Sequence, residues 1–354
     1  MRHFVILNAS LIPKFPGGVM FTHSVATVAP LRISFVGGGT DISTFYTEEK
    51  GAVVSASINK YVYIHAKNHD ESFGEKYRIS YSSIEHVNSV GEIRNNIVRS
   101  CLELLDFRKP IQISISSDLP FGTGLGSSSS LTVALLLALH TLRGEVPSKR
   151  QLAEEACYVE IEMLEQPIGK QDQYAATFGG LNMLEFHKNG RVTIDPIDIK
   201  HSELSELEKR ITLFWTGIQR DATSVLKDQI KRSSINKMAL SQLAEEAIRF
   251  QSILQRQPID WKELARIIST TWEIKASLSP KIVQGNLLTL VQLVKDRFEN
   301  GVKLLGAGSG GFILGFDGSE MDETGLQGGI ESRMQSIKPR IDLMGARITS
   351  MFVS

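Results

Sequence analysis

Cysteine is almost missing from this chain of 354 residues, where Cys101 and Cys157 stand far apart and outside any C-x-x-C pair. That pattern excludes a disulfide framework and a cysteine-based zinc site, and it leads us to expect a reducing, cytoplasmic setting. A surplus of charge is missing too. The 39 basic residues balance 39 acidic ones and are dispersed, so no nucleic-acid partner is expected, because phosphate-backbone binding normally shows as a basic stripe. No uninterrupted run of about 18 apolar residues occurs, so no membrane partner or spanning helix is expected. The opening "MRHFVILNASLIPKF" has an apolar core that is short and broken by Asn8 and Ser10, and residues 1–24 read as a variable extension rather than a signal peptide. What remains, 42% apolar and 22% charged, suits one large or two medium globular domains.

A lysine is also missing where nucleotide loops often carry one. In "SSDLPFGTGLGSSSSLTVALLLALH", residues 116–140, Gly122, Gly124 and Gly126 run into serines and then into an apolar helix pattern with almost no polar face. Ser127 occupies the place of the P-loop lysine, and Ser129 the place of the third glycine of the dinucleotide fingerprint. The stretch nevertheless predicts a buried helix starting in the serine run. Such a start carries unpaired N–H groups and the positive end of the helix dipole, and glycines before it let backbone close around phosphate oxygens. An ordinary serine-capped core helix is the plainer alternative. Gly306, Gly308 and Gly311 in "KLLGAGSGGFILGF" do spell the dinucleotide fingerprint, but they lead into a strand-like run, whereas a Rossmann loop opens a helix.

Periodicity places these motifs on an α/β framework. Residues 25–36 read as a strand delivered into "GGGTD"; "AVVSASINKYVYIHA" and "IQISISSDL" read as further strands, the latter with Ile111, Ile113 and Ile115 on one face. Between Pro147 and Glu165 a helical stripe runs through Leu152, Ala156, Val159 and Met163, with Glu160 at its edge, a carboxylate close to the buried side. A hairpin is predicted at Asn189–Gly190, helices over 225–300 with breaks at Pro258 and Pro280, and strands at "GFILGF" and "RITSMFV". A soft boundary near residue 190 divides an N-terminal domain, 25–190, from a C-terminal one, 191–354, with ligands expected in the cleft between them.

Three stretches, "PLRISFVGGGTD" at 30–41, "LPFGTGLGSSSS" at 119–130 and "KLLGAGSGGFIL" at 303–314, resemble in order and spacing the three signature motifs of the GHMP kinases. The resemblance implies an α+β fold of two domains, the first like ribosomal protein S5 domain 2 and the second ferredoxin-like, with ATP between them. It implies that Gly122, Thr123, Gly124, Leu125, Gly126, Ser127 and Ser128 wrap the ATP phosphates. Ser128 and Glu160 would face Mg2+, the countercharge that a lysine-free loop needs. "GKQDQYAATFGGLN" matches the G-x-x-D-Q stretch of galactokinase-type members at Gly169 and Asp172, which makes Asp172 the expected base and Arg32 its partner. A structural ion pair is the alternative reading of those two. Gly38 and Gly39 stand where galactokinase carries Glu-His, which argues against galactose. The chain is instead similar to the heptose 7-phosphate kinases of the family, which phosphorylate the anomeric hydroxyl of a sugar phosphate. On that reading Gly38, Gly39, Thr40, Asp41, Gly169, Lys170, Thr216, Arg220 and Gly308 surround the acceptor, with Lys170 and Arg220 as candidates for its phosphate. Another sugar 1-kinase, for fucose or a related sugar, and a non-catalytic sugar or nucleotide sensor remain open. So does a homodimer.

Overall fold

Two long strands organise the computed structural model, which describes residues 22–70, 72, 74–219, 223–298, 300–319 and 334–353. β1 (Thr22–Val36) and β2 (Gly51–Asn68) are antiparallel neighbours joined through the short helix α1 (Ser43–Tyr46). Both are rich in Val, Ile and Ala, which suit a pleated and largely buried surface, and Leu31, Ile33, Phe35, Val54 and Ile58 are wholly buried. The first unit continues through β3 (Tyr77–Ser80), β4 (Ile84–Val87), α2 (Asn96–Leu104), β5 (Ile111–Ser117), α3 (Ser127–Leu142), α4 (Lys149–Cys157), α5 (Gln171–Phe178), β6 (Leu181–Phe186) and β7 (Val192–Pro196). The 18 residues of β2 serve two partners: residues 51–56 pair with β6 and residues 62–68 with β5.

The second unit holds α6 (His201–Lys209), β8 (Ile211–Trp215), α7 (Thr223–Lys231), α8 (Lys237–Leu254), α9 (Trp261–Ser277), α10 (Asn286–Phe298), β9 (Val302–Leu304), β10 (Phe312–Phe316) and β11 (Ser336–Ile337). Its sheet runs β11-β8-β10-β9, and Pro258 and Pro280 fall between helices as expected. The chain then returns: β12 (Arg347–Val353) pairs with β1 at the edge of the first sheet, whose order is β12-β1-β2-β5-β3-β4 with the β6–β7 hairpin added on β2. A division at residue 190 therefore falls inside a hairpin of the first sheet, and residues from the C-terminal half complete that sheet. Of the expected extension, residues 1–21 lie outside the described residues, and Thr22, His23 and Ser24 already belong to β1.

Helix α3 is the central element. It is buried from Ser129 to Leu142, as its unbroken apolar pattern requires, and each of its fully buried leucines contributes about 1.5–3 kcal/mol. Two of its bonds reach β1: Thr27 Oγ1 donates to the Ala134 carbonyl at 2.7 Å and Ser130 Oγ to the Pro30 carbonyl at 2.8 Å. Against it lies α4, capped by Ser148, which accepts from the Gln151 N–H. α4 runs on as a wide π-helical segment, Tyr158–Met163, marked by the Leu164 N–H bonding five residues back to the Val159 carbonyl at 3.0 Å. That segment carries Glu160 on its buried side, 1% exposed.

Candidate active site

A cleft of about 300 Å³ opens between the two units and is lined by both. One wall is the glycine loop. Gly122, Gly124 and Gly126 have φ of 75°, 80° and 78°, a conformation that favours glycine, and between them Thr123 and Leu125 turn inward and are wholly buried. The Thr123 carbonyl accepts from Phe312 N–H at 3.2 Å and the Leu125 carbonyl from Arg32 N–H at 2.9 Å. Those two residues thus anchor the loop, while Gly122, Gly124, Gly126, Ser127 and Ser128 face the cleft. α3 begins at Ser127 with no side-chain cap, leaving its first turn open to an anion. The late glycine cluster rests directly on this loop: a Cβ at Gly306 would meet Gly124 Cα at 2.5 Å, and one at Gly311 would meet the Thr123 oxygen at 2.3 Å. Gly308 lines the cleft beside them.

At the other wall Arg32, from β1, meets Asp172, from the first turn of α5. Arg32 Nε and Nη2 donate to the two Asp172 carboxylate oxygens, each at 2.7 Å, and Nη1 donates to the Gly124 carbonyl at 2.6 Å. Burial pushes the Asp172 carboxyl above its ordinary value, against the opposing pull of the guanidinium. Asp41 lies next to the pair and holds α5 in place. Its Oδ2 accepts from the Gln171 N–H at 3.3 Å and from Gln171 Nε2 at 3.0 Å, and its Oδ1 accepts from the Gly39 N–H at 2.9 Å. Gly169 is glycine because a Cβ there would sit 2.0 Å from Asp41 Oδ2.

Behind the loop, Glu160 is pushed up to about 7, first by burial; Ser129, Gln173 and Ser128 pull it back and Asp172 adds to the rise. Gln173 Nε2 donates to it at 2.7 Å, whereas Ser129 Oγ makes no hydrogen bond of good geometry. A buried carboxylate with no cationic partner among the described residues, close to the exposed Ser128 hydroxyl, is a donor set that fits a hard divalent cation.

Other expected residues sit elsewhere. Lys170 points out of the cleft: its ammonium donates to the Gly190 carbonyl at 3.0 Å and lies over the Tyr46 ring, in a separate depression with Glu154 and Glu162. Thr40 is turned into the sheet, donating to the Gly37 and Ala52 carbonyls, and Thr216 donates to the Gly311 carbonyl at 2.7 Å, bracing the late glycine cluster. Arg220 lies outside the described residues. Gly38 and Gly39 do lie at the cleft, Gly39 lining it and Gly38 pressed close to Lys275. Two lysines in the cleft are not among the expected site residues: Lys275, which lies outside every motif, and Lys303, which opens the third one ahead of its glycines. Lys303 Nζ donates to the Ser34 and Phe35 carbonyls at 2.8 and 2.9 Å, and Lys275 Nζ to the Gly38 carbonyl at 3.3 Å. Only the folded contact between β1 and the second unit reveals them.

Comparison with known proteins agrees with this geometry. Residues 95–180, which hold the glycine loop, Glu160 and Asp172, match the GHMP kinases N-terminal domain family. The chain is 32% identical over 310 residues to the D-glycero-alpha-D-manno-heptose 7-phosphate kinase of Campylobacter jejuni, covering 83% of this chain and 89% of that protein. It belongs to the GHMP kinases. Among them it sides with the sugar kinases: it is 28% identical over 220 residues to the L-fucokinase/L-fucose-1-P guanylyltransferase of Bacteroides fragilis, a match over 60% of this chain and 22% of that longer protein. The fold is that of a Bacteroides thetaiotaomicron D-glycero-D-manno-heptose 1-phosphate kinase, with TM-score 0.74, 24% identity and coverage of 92% and 98% of the two chains. The α+β two-domain fold implied by the three motifs is thus the fold observed.

Proposed function

We propose that this GHMP kinase transfers the γ-phosphoryl of ATP to the anomeric hydroxyl of a sugar phosphate, D-glycero-D-manno-heptose 7-phosphate, giving the 1,7-bisphosphate. The observation that carries the reading is the Arg32–Asp172 fork, set at the mouth of a lysine-free glycine loop and tied to it through the Gly124 carbonyl. The main-chain N–H groups of the loop and the open start of α3 receive phosphate oxygens. Asp172 orients the acceptor hydroxyl and takes its proton as the phosphoryl group crosses, a role helped by a carboxyl whose pKa burial has raised. Arg32 holds the carboxylate in one orientation and offsets negative charge on the transferred group. Ser128 and Glu160 would hold Mg2+, which supplies electrostatic stabilisation of the polyphosphate. The heptose assignment comes from the Campylobacter relative and from the small Gly38–Gly39 floor. The product would feed nucleotide-activated heptose in surface polysaccharide synthesis.

A non-catalytic sensor would have no need of a half-buried base locked by arginine beside the phosphate loop. The nearer rival is a fucose-type 1-kinase. An ADP-release assay with ATP and magnesium over heptose 7-phosphate, heptose 1-phosphate, fucose and galactose, followed by 31P NMR of the product, separates them. Turnover of heptose 7-phosphate with a new anomeric phosphate is expected; preference for an unphosphorylated sugar overturns the assignment.

A further inference from the structure

Of the two cleft lysines, Lys303 is fixed by two good hydrogen bonds to β1, but Lys275 is not. Lys275 is 8% exposed and has one described partner, the long 3.3 Å contact to the Gly38 carbonyl. An ammonium carries three donors, and leaving them unanswered in a buried place is costly. Lys275 lines the cleft, so its remaining donors border the space into which an acceptor would fit. Burial lowers its pKa, and Asp41 opposes this more strongly than Asp172 does, which marks Asp41 as its main electrostatic counterpart. Yet among the described residues Lys275 forms no ion pair. Asp41 for its part is engaged by Gly39 of its own turn and by Gln171 of α5 through three of the roughly four acceptor sites a carboxylate offers.

A cation and a carboxylate that border one space without touching fit a group that both accepts and donates. A hydroxyl does so. A phosphoryl group would satisfy the lysine and be repelled by the aspartate.

We propose that Lys275 is an acceptor-specificity residue that, together with Asp41, reads a sugar hydroxyl other than the one phosphorylated, Lys275 donating a hydrogen bond to its oxygen and Asp41 accepting one from its O–H. The inference rests on the sugar-kinase reading above. Lys275 comes from α9 and Asp41 from the turn after β1, so the acceptor site draws on both units. Gly38 is small because a Cβ there would lie 3.1 Å from Lys275 Nζ.

The test is steady-state kinetics of wild type, Lys275→Met and Gly38→Ala on an acceptor that wild type turns over and on its monodeoxy analogues. Lys275→Met should raise the acceptor KM about 10- to 100-fold while the ATP KM stays within about twofold. One monodeoxy analogue should lose a similar factor with wild type and lose nothing further with Lys275→Met. Gly38→Ala, which presses on the ammonium without removing it, should show a smaller loss of the same selectivity, and it carries the test should Lys275→Met melt at assay temperature. Both KM values rising together, with every analogue affected alike, makes Lys275 a strut between the units and overturns the proposal. Loss of discrimination between phosphorylated and unphosphorylated sugar in Lys275→Met overturns it in favour of phosphate recognition. Absence of turnover by wild type on any sugar or sugar phosphate overturns the kinase acceptor assignment and this inference with it.

Discussion

Arg32 clamps Asp172 with two parallel hydrogen bonds of 2.7 Å and reaches the Gly124 carbonyl with a third donor, so the proposed base and the glycine loop share one rigid cation. Asp172→Asn keeps the shape but cannot accept the proton. It should lower kcat by about 10²- to 10⁴-fold with ATP binding, followed by nucleotide fluorescence, close to normal. Arg32→Lys should also fail, because an ammonium cannot make the fork and reach Gly124 at once. Near-normal turnover of Asp172→Asn would remove the base assignment.

Lys170 gives the opposite expectation. Its ammonium is engaged by the Gly190 carbonyl and the Tyr46 ring, away from the cleft. Lys170→Met should leave the acceptor KM within about twofold of wild type, since its half-buried side chain is engaged outside the site. A large rise confined to phosphorylated acceptors would show that this side chain swings into the cleft.

What the sequence made legible follows from range. The glycine loop, the buried α3 and the stripe of α4 are local patterns, and each appears where periodicity and turn chemistry put it. Glu160 could be suspected from the stripe edge, but residue spacing gives no sign of the π-helical segment Tyr158–Met163 in which it is buried. Lys275 was invisible because nothing in an amphipathic helix distinguishes a lysine facing another domain from one facing water, and Lys303, although it opens the third motif, precedes the glycines that carry its signal. Lys170 sits inside a persuasive motif, yet a motif fixes the backbone path and not the direction of each side chain. The strands β3 and β4 and the return of β12 to β1 likewise depend on pairing far along the chain.

Glu160 predicts a pH signature. Its folded value of about 7 stands above the ordinary 4.5, so between those limits the folded protein holds a proton that the unfolded chain has released. Stability should therefore fall as pH rises through that window, by about 3 kcal/mol in order of magnitude, when no divalent cation is present. Glu160→Gln should abolish that slope and melt higher than wild type at pH 8. Magnesium should raise the wild-type Tm more at pH 8 than at pH 5 and leave Glu160→Gln unmoved. A magnesium shift equal in both proteins would place the cation elsewhere.

The contact between the two glycine clusters is main chain against main chain, so no rotamer change can relieve an added methyl. Gly306→Ala combines a φ of 74° with a 2.5 Å clash on Gly124 Cα. It should cost about 1–3 kcal/mol of stability and raise the ATP KM by on the order of tenfold, as the loop moves from its productive position. Gly144→Ala is the control. Its φ is 78° but a Cβ there meets nothing within 4 Å, so it should lose about 1–2 kcal/mol with KM unchanged. Equal KM values in the two variants would mean that the clusters do not act on each other.

The far end of α3 carries a second titrating device. His140, 3% exposed, is held between two carboxylates, Nδ1 to Glu145 at 2.6 Å and Nε2 to Glu155 at 2.7 Å, and so staples α3 to α4. Burial alone would lower its pKa, but Glu155 and Glu145 outweigh it and the net shift is upward from 6.5. A raised histidine contributes stability that is complete below its unfolded value and is lost as pH climbs through its folded one. His140→Gln, which keeps a hydrogen-bonding side chain without the charge, should therefore show a larger Tm deficit at pH 6 than at pH 9, with ATP and acceptor KM little changed because the staple lies at the opposite end of α3 from Ser127. A deficit that is the same at both pH values would mean that packing, and not the charge on the imidazole, accounts for the staple.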